Sequence, residues 1–407
     1  MFINKKIALN ATIRWTGEIL NKLIWFIFMV ILARSLGDKK FGYFSYAFSF
    51  ASLFVVFTDL GTNTLLVKEI SKNKEQTNLY FSNILGIKFF LSVIVFLTIS
   101  VLALTLTEIP KIVILFSLSL LISAFLDPFN SLYRAYKQMH YETFIILIWR
   151  ILLAGLSLAG LYFFYFGLLE ISYVFIFSGV VTSYLTFLIA KKVYSLNFGN
   201  IKLDVWKKLI KSSIPLGAII IFGSIFFKLN TVLLQHFSGA QEVGWYSASF
   251  RLLEGTFFIP SIFVASVFPF FCEYSKASIS ELTVTFRKAF LILFLLAFSS
   301  VIAVFVFSKK IITFLYGEQF LPATKSLKII VWSLIFIFLN ELFLYLFIST
   351  EKQNKVIKIM SVCVLVYIAL CLLLVPARGF IGASWALFLT QVSLFTLYLL
   401  SFKKIPK

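Results

Sequence analysis

The chain has 407 residues, 60% of them apolar and only 13% charged, and its 37 Lys and Arg outweigh 17 Asp and Glu for a net charge of +20. Soluble domains run nearer roughly 45–50% apolar and 25% charged, so the composition excludes an ordinary water-soluble fold. In so apolar a chain the positive excess belongs to loops beside anionic lipid, and no nucleic-acid partner is expected.

The apolar residues come in long runs, such as 89–106 and 290–307. Runs of about 18 or more read as membrane-spanning helices. A β-barrel would alternate apolar and polar residues in segments of about ten, which these segments do not do. The expected class is an all-α polytopic membrane protein. Cys272, Cys363 and Cys371 are too few and too scattered for a disulfide framework or a metal site.

In chain order, the start "MFINKKIALNATIRW" soon meets Arg14 and Glu18, unlike the apolar core of a cleavable signal peptide, so the first helix is expected to stay. Twelve spans are predicted at 8–33, 41–66, 79–106, 111–133, 143–166, 168–190, 212–236, 243–271, 286–308, 326–350, 355–375 and 380–402. The first carries Asn10, Arg14, Glu18, Asn21, Lys22 and Trp25 within an arc of about 120°. Each charge at the centre of a membrane helix costs about 2.5–3.5 kcal/mol on insertion scales. The stripe should therefore face protein or a wet cavity. Glu18 sits four residues from both Arg14 and Lys22 and can neutralise either.

Further along, Lys88, Arg150, Lys228 and Arg251 are basic, and Asp59, Asp127, Glu254 and Glu341 acidic. Asp59 and Asp127 fall toward the cytoplasmic ends of spans two and four, at the depth where Lys88 and Arg150 begin spans three and five. That depth suits a gate of opposite charges or plain interfacial snorkelling. Arg251 and Glu254, three apart, are placed to pair.

The longest polar connection, 191–211, separates six spans from six. Within it "KLDVWKKLIK" sets Leu203, Trp206, Leu209 and Ile210 against Lys202, Lys207, Lys208 and Lys211, a pattern for a short surface helix or simply for an amphipathic linker. The domains expected are an N-terminal lobe (1–190), this linker, and a C-terminal lobe (212–407). One set of span ends holds 22 Lys and Arg and the other nine, which puts the linker and both termini on the cytoplasmic side.

"LARSLGDKKFGYFSYAFSF" at 32–50 returns as "LQHFSGAQEVGWYSASFRL" at 234–252. Gly37 matches Gly239, Gly42 matches Gly244, Ser45 matches Ser247 and Phe48 matches Phe250. Each copy covers the turn between the first two spans of its half. Six is even, so the halves cross in the same sense and are pseudo-symmetric about an axis along the membrane normal, with substrate expected between them near the midplane.

There is no G-x-x-x-x-G-K-[ST], no H-E-x-x-H and no G-x-S-x-G, and the two histidines, His140 and His236, fall in loops. No catalytic residue, cofactor or metal ligand is assigned. A transporter is expected rather than an enzyme. A wet cavity lined by Arg14, Lys22, Lys228 and Arg251 suits an anion, because arginine forks match phosphate oxygens in two-point contact. Trp25, Trp245 and Tyr246 could stack on sugar faces or anchor helix ends at the interface.

The 32–50 segment with "TDLGTNTLLVKEISK" at 58–72, and "LYGEQFLPATKSLKII" at 315–330, resembles bacterial polysaccharide-unit flippases of the multidrug/oligosaccharidyl-lipid/polysaccharide exporter superfamily. The resemblance spans essentially the whole chain. It implies two six-helix lobes around a central cavity and alternating access in the bacterial inner membrane. It implies an undecaprenyl-pyrophosphate-linked oligosaccharide as cargo, for O-antigen, capsule or another surface polysaccharide. Polymerase and glycosyltransferase neighbours would go with such a role. On this resemblance Arg14, Lys22, Lys228 and Arg251, with Trp25, would meet the substrate. Glu18, Asp59, Asp127, Glu254 and Glu341 would serve as gate or as binding groups for a coupling proton or sodium ion. The second lobe's first span is sparsely charged, with Lys228 alone, which departs from the family pattern. A cation-coupled drug antiporter of the same fold is the competing expectation; it would favour carboxylates in the lumen.

Overall fold

The computed structural model describes residues 5–194, 196, 199 and 201–402; side-chain statements begin at Ile13, and Asn10 with the terminal Lys403, Lys404 and Lys407 lies outside them. No strand occurs among the described residues. The helices are α1 (Lys5–Val55), α2 (Thr62–Lys72), α3 (Thr77–Leu106), α4 (Pro110–Ala124), α5 (Leu126–Ala135), α6 (Met139–Phe163), α7 (Leu168–Tyr194), α8 (Leu203–Ser238), α9 (Ala240–Glu254), α10 (Phe258–Ala277), α11 (Ile279–Tyr316), α12 (Ala323–Ile330), α13 (Ser333–Ser349) and α14 (Gln353–Phe402).

Nine helical stretches among the described residues are long and apolar enough to cross a bilayer, or ten if α12 and α13, bent by 40°, form one span. Two of them, Ile13–Lys72 and Gln353–Phe402, run to 60 and 50 residues. At 1.5 Å per residue each is far longer than a hydrocarbon core of about 30 Å. Both are broken at a glycine, Gly37 (φ 79°, ψ 169°) and Gly379 (φ 54°, ψ −135°). The predicted count of twelve is therefore not read directly from helix number; it requires each broken stretch to cross twice and the α12–α13 pair to form one span.

The chain forms two compact units, 1–35 with 47–224, and 36–46 with 225–407. The division cuts α1 twice and α8 once, whereas the sequence placed it at the 191–211 linker. Backbone crossings explain the difference. Within the first unit a Cβ on Gly217 would fall 2.4 Å from the carbonyl carbon of Leu60, and one on Gly61 would fall 2.6 Å from the nitrogen of Gly217. The N-terminal half of α8 thus lies directly on the bend between α1 and α2.

The amphipathic stretch 202–211 is not a separate surface helix. It opens α8, which continues through Pro215. Trp206 fills the slot left by Gly86 on α3, where a Cβ would sit 2.8 Å from the indole, and Leu209 is 3% exposed. The Lys202 amide donates to Asn83 Oδ1 at 2.8 Å. The apolar face of the linker covers protein, because a glycine opposite it lets the ring approach.

The rest of the first unit packs α4 on α7 and α3, α2 on α5, and α6 on α7. On α7 the buried face reads Ser172, Phe175, Ser178, Gly179, Thr182, Thr186 and Ala190. Small residues at helical spacing permit close approach in lipid, and a Cβ on Gly179 would lie 3.3 Å from Ile122 of α4. Thr182 and Thr186 return their hydroxyls to the carbonyls four residues back at 2.7 Å, so neither is left unsatisfied.

In the second unit buried amides tie helices together. Asn230 of α8, fully buried, donates to Ala383 O (2.8 Å) and Tyr246 Oη (3.0 Å) and accepts from Cys371 Sγ (2.9 Å). Asn340 of α13 donates to the backbone and side-chain oxygens of Gln391 at 3.1 and 3.0 Å. The large exposed apolar residues lie on the outer faces of helices such as α3 and α11, for instance Leu104 at 68% and Phe314 at 79%, the surface a bilayer would cover.

Candidate functional site

In the first unit the stripe on α1 resolves into separate contacts. Glu18 and Lys22 pair at 3.4 Å with both side chains about two-fifths exposed. Arg14 is exposed. Trp25 packs among Phe28, Phe48 and Phe175, and the guanidinium of Arg150 stands 4.2 Å from its ring. Arg150 also stands 4.5 Å from the Trp149 ring and donates through Nε to Asn21 Oδ1 at 2.7 Å. A guanidinium between indole faces is held by cation–π attraction, which desolvation strengthens.

Lys88 is fully buried on α3 and reaches Asp127 of α5, Nζ to Oδ2 3.5 Å, while the Asp127 side chain remains 53% exposed. Asp127 stands beside an open cavity of about 400 Å³ within this unit. Asp59 has a different occupation. Its Oδ1 accepts from the Asn63 amide (3.0 Å) and the Thr62 hydroxyl (3.1 Å), capping the start of α2 in the manner of an N-cap carboxylate. Arg134 on α5 grips Glu142 on α6, with Nε 2.9 and 3.0 Å from the two carboxylate oxygens and Nη2 closing on Oε1. The sequence counted Arg134 only as a cytoplasmic loop charge.

In the second unit Lys228, Arg251 and Glu254 come together. Arg251 Nη1 donates to Glu254 Oε2 at 2.5 Å, and Lys228 Nζ lies 3.9 Å from Oε1 of the same carboxylate. Their side chains are 7%, 16% and 34% exposed for Arg251, Lys228 and Glu254. Two cations around one carboxylate leave the trio with a single positive charge. Glu341 is half-buried on α13 beside Asn340. Among the described residues no group of His, Cys, Asp and Glu is placed to hold a metal ion.

Trp245 is engaged elsewhere. Its Nε1 donates to Asp38 Oδ2 (3.0 Å) and Gln319 O (3.2 Å), and Gln241 Nε2 donates to the same Asp38 oxygen at 2.8 Å. Tyr246 is buried, with its hydroxyl on Asn230. The Tyr246 ring is thus closed off, while Trp245 stays half-buried with its N–H engaged. The sequence did not single out Asp38, although it lies inside the repeated segment; nor did it single out Trp149, Ser123 or Asn130, which line the cavity in the first unit. A polar residue within an apolar span was the available signal for Asn130.

A family model described as "Polysaccharide biosynthesis protein" matches residues 7–275, and a MatE model matches 215–373. The capsular polysaccharide biosynthesis protein CapF of Staphylococcus aureus is 23% identical over 410 residues, covering 97% of this chain and 99% of CapF. The lipid II flippase MurJ, in an inward closed conformation, superposes with a TM-score of 0.75 at 13% identity, covering 95% of this chain and 87% of that one. A multidrug resistance MATE family transporter of the MOP superfamily, inward-facing, gives 0.70 at 15% identity over 95% and 94%. The fold is that of these transporters, and the chain is a multi-pass membrane protein.

Proposed function

The chain belongs to the polysaccharide biosynthesis protein family, whose model covers residues 7–275, and on that basis we propose that it is a flippase for lipid-linked oligosaccharides. It carries undecaprenyl-pyrophosphate-linked repeat units from the cytoplasmic to the outer leaflet of a bacterial inner membrane, with both termini cytoplasmic. The similarity to CapF supports a capsule-type cargo. The observation that carries the reading is the trio Lys228, Glu254 and Arg251, a net positive charge set into apolar helices. Charge inside a membrane helix is retained at a cost of several kcal/mol only where it works. A diphosphate gives it work: the Arg251 fork can trade a carboxylate for phosphate oxygens, and Lys228 follows as a point charge.

Arg14 and Lys22, both with exposed surface, are the further cations proposed to meet the head group. Trp25 and Arg150 form one stacked pair, so Trp25 is proposed to position Arg150 rather than to stack on sugar. Of the five carboxylates expected to gate or couple, Asp127 and Glu254 fit best. Asp127 is partnered by the buried Lys88 and Glu254 by the half-buried Lys228, yet each carboxylate keeps accessible surface, so a proton or sodium ion can compete for it. The polyprenyl tail stays in lipid throughout, because only the charged head needs shelter from hydrocarbon.

The test is translocation of lipid-linked repeat units in proteoliposomes. Lys228→Ala and Arg251→Ala are expected to lower the rate at least about tenfold, the loss of roughly one charge-assisted contact, while the protein still inserts. Unchanged rates in both would refute the anion site, and rates indifferent to proton and sodium gradients would remove ion coupling. The MatE match over 215–373 favours a second reading, cation-coupled drug export. That reading predicts gradient-driven efflux of a cationic dye and no movement of the lipid-linked sugar.

A further inference from the structure

A second basic surface lies on α11 and α12 within the second unit, apart from the trio. Leu291, Leu295, Phe298, Ile302 and Val306 are exposed along one face of α11 at spacings of three and four, the stripe a bilayer would cover. Arg287 and Lys288 precede this stripe and Lys309 and Lys310 follow it, all four exposed. From Lys288 to Lys309 the helix rises about 32 Å at 1.5 Å per residue, close to a hydrocarbon core of about 30 Å. Lys309 and Lys310 therefore stand at a membrane boundary, level with lipid head groups.

There they meet α12, which packs on α11 and carries Lys325 and Lys328 one turn apart, both exposed. Lys328 Nζ stands 5.6 Å from the centre of the Phe305 ring, and Phe305 lies one turn before Lys309. Lys310 Nζ stands 6.0 Å from the Phe307 ring, and Trp332 meets Phe305 edge-on at 5.9 Å. Phe305, Phe307 and Trp332 are themselves exposed. Among the described residues none of the four lysines pairs with a carboxylate, and Glu318, on the turn between the helices, holds none of them. Like charges gathered on two packed helices repel unless an anion joins them. On the sequence count these are four of the nine Lys and Arg on the less basic side, where the orientation rule does not call for them. Snorkelling carries a lysine out to water; here two of the four are held over rings that face lipid.

We propose that Lys309, Lys310, Lys325 and Lys328, with Phe305 and Trp332 beside them, form a docking surface for an anionic glycerophospholipid of the surrounding bilayer. Its phosphate meets the lysines and its acyl chains run along the exposed stripe of α11. Two features define the occupant: the unbalanced positive charge asks for an anion, and the stripe below it asks for hydrocarbon. A polyprenyl diphosphate shares this chemistry, but the surface opens directly onto the bilayer, where phospholipid is the lipid at hand. The inference is independent of the cargo.

The test titrates phosphatidylglycerol and phosphatidylcholine into the full-length protein in detergent and reads bound lipid by native mass spectrometry. The wild type should hold phosphatidylglycerol about tenfold or more tighter than phosphatidylcholine. The double variant Lys309→Gln/Lys328→Gln should lose most of that preference while binding phosphatidylcholine unchanged. Phe305→Leu, which removes the ring under Lys328 and no charge, should lose about threefold. Arg287→Gln/Lys288→Gln removes the same charge from the other end of the stripe and should retain the preference. No preference in the wild type, or equal losses in the two double variants, overturns the site and leaves only net charge. Undecaprenyl pyrophosphate is the third probe: if it displaces phosphatidylglycerol from the wild type but not from Lys309→Gln/Lys328→Gln, the surface serves the diphosphate lipid and the phospholipid proposal fails.

Discussion

Gly42 and Gly244 each lie against the backbone of the other's repeat. A Cβ on Gly42 would fall 1.7 Å from the carbonyl oxygen of Ala240, and one on Gly244 would fall 2.1 Å from that of Asp38. Ala240 occupies the place in the second copy that Asp38 holds in the first, so the contact is reciprocal. The glycines that open the two copies share one backbone conformation, Gly37 at φ 79°, ψ 169° and Gly239 at φ 83°, ψ 176°, in the positive-φ region that side chains resist.

Alanine at either crossing glycine must push two helices apart. Gly42→Ala and Gly244→Ala are each expected to destabilise the protein by about 1–3 kcal/mol, the usual cost of overpacking, and the double variant by less than the sum, because separating the helices once relieves both. Gly223→Ala is the control, since a Cβ there meets nothing within 4 Å. Thermal unfolding in detergent reads all four; equal midpoints for Gly42→Ala and Gly223→Ala would refute the crossing.

Asp38 gathers the side chains of Gln241 and Trp245 on one oxygen. Asp38→Ala should cost about 1–3 kcal/mol, the range for hydrogen bonds to a charged group. In a double-mutant cycle with Trp245→Phe the coupling should be about 1 kcal/mol. Strict additivity would mean that the Trp245 bond contributes nothing.

Removing the carboxylate of the trio leaves the half-buried Lys228 and the buried Arg251 as neighbours of like charge. Glu254→Gln should destabilise by about 3 kcal/mol, toward the low end for breaking a buried pair because Glu254 is itself a third exposed. Adding Lys228→Met should recover part of it. If inorganic pyrophosphate raises the unfolding midpoint of Glu254→Gln more than that of the wild type, the trio binds anions as proposed.

The Arg134–Glu142 bond is a fork against a carboxylate that is 5% exposed. Lysine cannot reproduce two parallel donors. Arg134→Lys is expected to lose about 1–3 kcal/mol, and Glu142→Gln a similar amount; wild-type unfolding in Arg134→Lys would show that a point charge suffices.

Much of the fold was legible in sequence. Hydropathy identified the chain as a bundle of apolar helices, without fixing their number, and the pairing of Arg251 with Glu254 followed from a spacing of three on one helix. The repeat was legible as text, but that its two copies touch was not. Asp59 was legible only as a carboxylate near a span end; that it accepts from Thr62 and Asn63 at the start of α2 needed the bend at Leu60–Gly61. Trp25 and Trp245 were legible only as rings near helix ends; that Arg150 stands over the one and Asp38 accepts from the N–H of the other, each distant in sequence, was not.

By itself the sequence determined that this is a helical membrane protein built from a repeated half, with cations set where lipid should be. These properties are local: hydropathy and periodicity are summed along a few turns of one helix, and the cost of charge in hydrocarbon applies whatever the neighbours. Tertiary structure alone decided which charges are spent on each other, as with Lys88 and Asp127 across 39 residues, and which side chains come together around an open cavity. Those outcomes depend on helix rotation and crossing, set by glycine contacts at ångström range, which hydropathy and periodicity cannot fix.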